Sequence, residues 1–283
     1  MTTHHENACP ICKNSSQSDG HFQIDAYRIY TCPRCQTRFC LPTVDNAQVY
    51  SAQRMEEKPQ YFESVLSDFD MPDSLSPYLT VKGKRVLDIG CATGSFLKTL
   101  QADNEILGLE IGPDYGPILE QRGIPHRIGD LSENLATLAD DSYDLITLLD
   151  VFEHFEDPMT ILQQLRGKLA PGGFLVNWTN NYDDLISLGS EVLYRLSGGR
   201  ITFFMEQSFN RIGGHNFNFK PETMDYIYDE MGFEIVESII TDTPAKRLTS
   251  NLPFRLILST AFVANRLVGK GKIIAHVVRK NNR

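Results

Sequence analysis

Residues 84–97, Lys84-Arg-Val-Leu-Asp-Ile-Gly-Cys-Ala-Thr-Gly-Ser-Phe-Leu97, constrain the fold more than any other stretch of the chain. Val86, Leu87 and Ile89 form a short apolar run bounded by turn residues, which predicts a buried strand. Gly90, Ala92 and Gly94 then make a tight turn of residues with little or no side chain, and Ser95 opens a helix. A strand, turn and helix in that order let backbone N–H groups approach a ligand closely, with a helix N-terminus aimed at its charge. A dinucleotide fingerprint would put glycine at 90, 92 and 95. The chain has Gly90, Ala92 and Ser95 there, so NAD fits poorly. A glycine turn alone is equally readable as an ordinary tight connection, and the rest of the chain decides between them.

From Gly83 onward strands and helices alternate. Strands are expected at 85–89, Glu105 to Ile111, His126 to Gly129, Leu145 to Leu149 and Phe174 to Trp178. Helices fit Ser95 to Ala102, Asp114 to Arg122 and Asp157 to Ala170, the last closed by Pro171-Gly-Gly173. Alternation of this kind means a parallel sheet covered on both faces, a doubly wound, Rossmann-like α/β architecture. Ligands of such sheets bind beyond the carboxyl ends of the strands. The turn at 90–94, Glu110, Asp130 and Asp150 all fall at or just past a predicted strand end. Glu110 follows Asp88 by 22 residues, a position from which a carboxylate accepts both hydroxyls of a ribose.

The motif Asp88-x-Gly90-x-Ala92-x-Gly94 resembles the first motif of class I S-adenosylmethionine-dependent methyltransferases. Four further segments are similar to that family's later landmarks, in the same order. They are Gly108-Leu-Glu-Ile-Gly112, Gly129-Asp-Leu131, the run from Tyr143 to Pro158 with its Glu153-His154-x-x-Asp157-Pro158 turn, and Leu169-Ala-Pro-Gly-Gly-Phe174. Ala92 departs from the pattern, since many members carry glycine there; it adds one methyl group. The resemblance implies S-adenosylmethionine as cofactor. It places Asp88, Gly90, Cys91, Ala92, Thr93 and Gly94 beside the methionine part, with Asp88 ordering the loop. It further places Glu110 at the ribose and Asp130 near the adenine amino group, with Ile111, Leu131, Asp150 and Val151 also among the cofactor-binding residues.

Four of the six cysteines form two pairs, Cys9-Pro-Ile-Cys12 and Cys32-Pro-Arg-Cys35, with 19 residues between. That is the spacing of a structural zinc site. Two such turns complete a tetrahedron of thiolates around one ion and leave no open position. Disulfides are the competing reading, disfavoured in a reducing compartment. The expected role is to fold a module too small to hold itself together. His4, His5 and His21 lie nearby, but four thiolates already fill the site; Cys40 and Cys91 read as small apolar packers.

The length of 283 residues suits one large domain and a small module. The divisions expected are a zinc ribbon over 1–42, a helical linker over 43–82, and a methyltransferase domain over 83–283. The linker carries an apolar stripe of Tyr50, Met55, Tyr61, Phe62, Val65, Leu66 and Phe69. A polar start and the lack of any apolar run of membrane-spanning length lead to a cytoplasmic expectation. Net charge is −9, unevenly spread: residues after Asp242 include nine bases and no acid, so residues 1–242 hold 18 of the 27 bases and all 36 acids.

An insert at 181–220 leaves the fifth predicted strand at the cofactor edge and is expected to cover the acceptor. It holds Phe203, Phe204, Phe209, Phe217 and Phe219 around Gly213-Gly-His215. A histidine titrating near neutrality suits proton removal from a hydroxyl or carbon acid. His215 is the first candidate base and His154 the second, and either is equally readable as a hydrogen-bonded turn residue. Tyr182 is a weaker option for positioning the acceptor. The ribbon, core and Gly-Gly-His insert together resemble bacterial methyltransferases of sugar and surface-polysaccharide biosynthesis, although the cysteine pairs of the better-known members lie farther apart. That resemblance implies a sugar, glycan or lipid-linked glycan acceptor. The core motifs equally resemble O-methyltransferases of small aromatic or quinone-type acceptors. An RNA substrate is disfavoured by the net negative charge, because phosphate contacts require a broad basic surface. The basic C-terminal region suits a phosphorylated acceptor or peripheral contact with an anionic membrane, or is a solvated tail.

Overall fold

The computed structural model describes residues 8–14, 20–24, 26–44, 46–49, 73–202, 214–242 and 252–281. His4 and His5, the stripe from Tyr50 to Phe69, and Phe203, Phe204, Phe209 and Gly213 lie outside those residues.

A seven-stranded sheet forms the body of the molecule. It contains β4 (Arg85–Ile89), β5 (Glu105–Glu110), β6 (His126–Ile128), β7 (Tyr143–Leu149), β8 (Leu169–Asn180), β10 (Phe233–Thr241) and β11 (Ile273–Lys280). Their order across the sheet is β10-β11-β8-β7-β4-β5-β6. Strands β6 to β8 of that row run parallel, whereas β11 lies antiparallel to both β8 and β10. The strands nearest the centre are buried on both faces and mostly apolar, because both faces of the sheet are covered. One face packs Leu87, Ile89, Ile146 and Leu148 into a core with Leu162, Leu165 and Tyr228; the other packs Val86, Leu145 and Val176 with Leu97 and Leu119.

The covering helices are α1 (Ser95–Leu100), α2 (Gly116–Gln121), α3 (Leu131–Ala136), α4 (Pro158–Lys168), α5 (Leu185–Leu196), α6 (Pro221–Glu230) and α7 (Leu252–Leu267). Asp157 begins α4 by accepting from the Thr160 N–H, with proline at the first helical position, where a missing N–H costs nothing. Asp184 caps α5 in the same way, accepting from Ile186 and Ser187. The sequence leads one to expect α4 to run to Ala170 and Pro171-Gly-Gly173 to form a separate turn. Instead α4 stops at Lys168 and β8 begins at Leu169, with the Pro-Gly-Gly segment absorbed as an irregularity opposite Tyr143–Leu145. Gly173 lies so close to the β7 backbone that an added Cβ would come within 2.8 Å of the Tyr143 carbonyl oxygen. Glycine therefore lets the chain cross there without leaving the sheet.

The N-terminal cysteines belong to a second, four-stranded antiparallel sheet of β1 (Gly20–Ile24), β2 (Tyr27–Thr31), β3 (Arg38–Leu41) and β9 (Phe217–Asn218). Its fourth strand comes from the segment just after His215, so Phe39 pairs with Phe217 across nearly 180 residues of chain. Cys9, Ile11, Tyr30, Cys32, Cys35 and Phe39 share one buried cluster with Phe217, Phe219 and the α6 residues Met224 and Ile227. Thr223 of α6 donates its hydroxyl to the Cys35 carbonyl at 2.8 Å.

Candidate active site

The carboxyl ends of β4, β5, β6, β7 and β8 lie along one edge. At β4, Gly90, Ala92 and Gly94 all take positive φ (68°, 47° and 72°), which a turn this tight requires. Two glycines adopt it freely; Ala92 does so as one of few non-glycine residues in that region. The turn is held from below by Glu110, whose two carboxylate oxygens accept the Ala92 and Gly112 N–H groups at 2.8 Å each. Burial raises the Glu110 pKa, against those two hydrogen bonds. Each oxygen keeps a second lone pair, so the carboxylate can still accept a pair of hydroxyl donors. Asp88, 3% exposed, accepts the Thr147 hydroxyl at 2.6 Å, and burial pushes its pKa up to about 7. Cys91 is buried against the bare Cα of Gly108, where an added Cβ would overlap its sulfur.

Farther along the edge, Ile111 is 39% exposed just after β5, an apolar side chain facing solvent beside Glu110. Asp130 is exposed and caps α3, accepting from the Glu133 N–H at 2.9 Å; Leu131 is half-buried behind it. Asp150 is exposed, carries φ 56°, and donates its N–H to the Trp178 carbonyl, which bends the chain out of β7. Val151 then packs so tightly over Gly90 that a Cβ at that glycine would come within 2.5 Å of it. Every residue expected to hold the cofactor therefore falls on this edge. The donor set fits S-adenosylmethionine: a buried carboxylate for a diol, a tight turn of small residues, and an exposed apolar residue beside an acid for a base.

The two histidines come together. The rings of His154 and His215 lie 4.7 Å apart, nearly perpendicular. His154 Nδ1 is 3.1 Å from the Gly214 carbonyl, and burial pushes its pKa down to about 4, so it is neutral near pH 7. Glu153 is buried, accepts the Thr179 hydroxyl at 2.8 Å, and is pushed up to about 8 by burial first and the Asp150 charge second. His215 Nδ1 is 3.0 Å from the Asn180 amide nitrogen, while the Asn180 Oδ1 is buried without a partner among the described residues. Among the described residues, two groups converge their ligating atoms within 4.8 Å of one another: Glu153, His154 and His215, and the four cysteines. Tyr182 follows the carboxyl end of β8, but its side chain turns to the cysteine module. Its hydroxyl donates to the Gln36 carbonyl and its ring lies 3.9 Å under the Arg38 guanidinium, so it ties β8 to the cysteine module.

Cys9 and Cys35 sulfurs are 3.6 Å apart, and Cys12 and Cys32 sulfurs 3.5 Å. Zinc–sulfur bonds of about 2.3 Å in a tetrahedron put sulfurs about 3.8 Å apart, so the quartet fits one zinc ion. The Cys9 thiol bonded to Cys35 lowers the Cys35 pKa to about 5 and raises that of Cys9. None of the six cysteines forms a disulfide.

Sequence reasoning missed Asn180, Thr147, Thr179 and Asn216. The first three carried a signal, since each is a polar residue within or closing an apolar strand run. Asn216, buried beneath the histidines, had none. It accepts the Val44 N–H at 2.7 Å and donates to the His154 carbonyl at 2.9 Å, and its own N–H reaches the Glu153 carbonyl.

A strand order of this kind, with the last strand antiparallel and a carboxylate closing the second, defines a class I S-adenosylmethionine-dependent methyltransferase. A methyltransferase-domain family profile matches residues 66–237, more than half of the chain. The chain belongs to that family. It is similar to a ubiquinone biosynthesis O-methyltransferase of Cereibacter sphaeroides, 29% identical over 124 residues, 42% of this chain and 49% of the relative. A Bordetella avium protein of the same description is 27% identical over 133 residues, 41% of this chain and 53% of that one. The chain thus spans about half the length of the curated relatives it matches. Two solved structures share the fold. One is a methyltransferase from Archaeoglobus fulgidus, with TM-score 0.54, 20% identity, and coverage of 81% of this chain and all of that one. The other is a magnesium protoporphyrin IX methyltransferase from Synechocystis with bound S-adenosylhomocysteine, with TM-score 0.54, 16% identity, and coverage of 83% and 98%.

Proposed function

We propose that the chain methylates a hydroxyl oxygen of a small, quinol- or phenol-type acceptor. The observation carrying this reading is the resemblance of its core to relatives described as ubiquinone biosynthesis O-methyltransferases. When bound, S-adenosylmethionine supplies an electrophilic methyl group. The protein then has to hold the acceptor oxygen in line with that group and exclude water. In this proposal Glu110 accepts the ribose hydroxyls, Ile111 and Leu131 flank the adenine with Asp130 near its amino group, and Asp88, Asp150 and Val151 fix the turn from Gly90 through Cys91, Ala92 and Thr93 to Gly94.

His215 is the proposed base, and Asn180 selects its tautomer. With the Asn180 nitrogen donating to Nδ1, neutral His215 carries its proton on Nε2 and presents a donor. Turning the amide over gives up the Asn180 Nδ2 bond to the Phe217 carbonyl, lets Oδ1 accept a hydrogen bond from Nδ1–H, and leaves on Nε2 the lone pair that takes the acceptor's proton. His154, held against a carbonyl, orients its neighbour. The four cysteines bind zinc as the structural ion of a ribbon spanning 1–42. A linker over 43–82 joins it to the catalytic domain at 83–283, whose segment 181–220 covers the acceptor.

A labelled-methyl transfer screen over phenols, quinols and nucleotide sugars tests the acceptor class. Turnover on phenols or quinols is expected, and turnover confined to nucleotide sugars overturns it. The sugar reading stays second, on the resemblance of the cysteine ribbon and Gly-Gly-His insert to sugar methyltransferases. For the base, His215→Ala is expected to lower kcat by about 10²- to 10⁴-fold. Asn180→Asp places a carboxylate beside Nδ1, which favours the charged imidazole, and moves the acid limb of the kcat profile to higher pH by about one unit. An acid limb indifferent to Asn180→Asp, or full turnover by His215→Ala, removes His215 as the base.

A further inference from the structure

Among the described residues, helices α5 and α7 expose apolar surface. Of the fourteen large apolar residues exposed among those described, eleven lie in two segments, residues 188–201 and 252–268. On α7, Leu258, Phe262 and Asn265 are buried, spaced to face the core. The opposite side of the same helix carries Leu252, Leu256, Ile257, Val263 and Leu267, with Leu267 81% exposed. On α5, Ser187 and Ser190 face inward, while Leu188, Val192, Leu193 and Leu196 face out, Leu196 also at 81%. An outward helix face this apolar is normally a covered one. The helices are neighbours, joined by the Leu185 N–H donating to the Asn265 Oδ1 at 2.9 Å.

Charge chooses the occupant. Arg195 borders the α5 face, and Arg255 and Arg266 border the α7 face. Between 185 and 202 the one acid is Glu191, which is ion-paired with Arg38, and between 252 and 281 there is none. A two-fold dimer through this surface would bring each arginine rim against its own copy, which like-charge repulsion opposes. An anionic lipid surface satisfies both the apolar face and its basic rim. No helix among the described residues is long and apolar enough to cross a membrane, so the contact is a helix pair lying in the interface.

We propose that the α5–α7 face docks on an anionic bilayer. Both helices are tethered at the carboxyl edge of the sheet: α5 follows the end of β8, and α7 leads to Ile273, which pairs with Asn180. Docking therefore holds the candidate active site toward the bilayer. Delivery of a quinol acceptor from the lipid would follow from the proposed acceptor class, whereas docking itself is independent of it.

Flotation of the full chain with phosphatidylcholine vesicles, with and without phosphatidylglycerol, tests this without any methyl transfer. The chain is expected to float with anionic vesicles and not with neutral ones. Retention should weaken about tenfold between roughly 0.05 and 0.5 M salt as screening lengths shorten. Leu256→Glu and Leu196→Glu, both on solvent-facing positions, should each lower retention at least about tenfold while keeping the melting temperature and the affinity for S-adenosylmethionine, since a buried charge is not involved. Failure of the wild type to float with anionic vesicles overturns the proposal, as does retention unchanged in both variants. A wild-type dimer in solution that Leu256→Glu converts to monomer also overturns it, assigning the face to a second copy.

Discussion

Glu110 does two jobs with one carboxylate. Its oxygens hold the Ala92 and Gly112 N–H groups and so shape the turn, and each keeps a lone pair for the proposed ribose hydroxyls. Glu110→Gln keeps the shape but turns one oxygen into a donor facing a backbone N–H, and it removes the charge. A hydrogen bond to a charged group contributes about 1.5–3 kcal/mol, so S-adenosylmethionine should bind roughly 10- to 100-fold more weakly by isothermal titration. Glu153 shows the opposite use of burial. Its folded pKa of about 8 lies above the ordinary carboxylate value of 4.5, so the folded chain keeps a proton that the unfolded chain has released. Stability from this group is therefore present at low pH and lost as pH rises through about 8. His154, lowered to about 4, acts in reverse and loses stability only as pH falls below its ordinary 6.5. Glu153→Gln carries no titrating proton, so its melting temperature relative to wild type should rise between pH 6.5 and 9, followed by scanning fluorimetry. A gap that stays constant across that range would show that Glu153 does not titrate as its burial requires.

The turn at 90–94 depends on β5 as much as on its own residues. Gly108 lies beneath Cys91, and a Cβ there would overlap the thiol and approach Leu97 at 3.1 Å. Gly108→Ala is expected to displace the turn, costing about 1–3 kcal/mol of stability through overpacking and weakening cofactor binding. Cys91→Ala in the same chain removes the sulfur and should recover part of both losses, a coupling that a double-mutant cycle measures by urea unfolding. At this scale the sequence was most readable. The strands β4 to β8 and the helices α1, α2 and α4 follow from apolar runs, an Asp cap and a Pro-Gly break that act locally. Helix α3 was missed because Leu131–Ala136 is one and a half turns with only Leu135 buried, too short to display a period. The two-residue strand β9 had no local signal either: Phe217–Asn218 pairs with β3 only because the cysteine module is already placed beside it.

Placement of the cysteine module is a property of the whole molecule, and no spacing in the sequence encodes it. The cysteine pattern predicts a small metal-held unit, and the motifs predict a methyltransferase sheet, yet neither says that the two share a core. Their junction rests on Phe39 against Phe217, Thr223 to the Cys35 carbonyl, the Tyr182 hydroxyl to Gln36, and Asn216 between Val44 and His154. Each of these is a long-range contact formed by residues unremarkable in their own neighbourhoods. They have a thermodynamic consequence. If the ribbon were an independent domain on a linker, the chain would unfold in two steps, and a zinc chelator would abolish only the smaller. Because β9 and the segment holding His215 are built onto the ribbon, losing the ion should destabilise the acceptor side of the catalytic domain as well. Calorimetry of the zinc-loaded chain is therefore expected to show one cooperative transition whose calorimetric and van't Hoff enthalpies agree. Chelation, or Cys35→Ser, should lower that transition as a whole and make the segment around His215 open to proteolysis. Binding of S-adenosylmethionine at the far end of the edge should weaken far less, since Glu110 and the turn at 90–94 make none of the junction contacts. Two separate transitions in the loaded chain, with the larger unmoved by chelation, would mean that the ribbon and the sheet are held together by the linker alone.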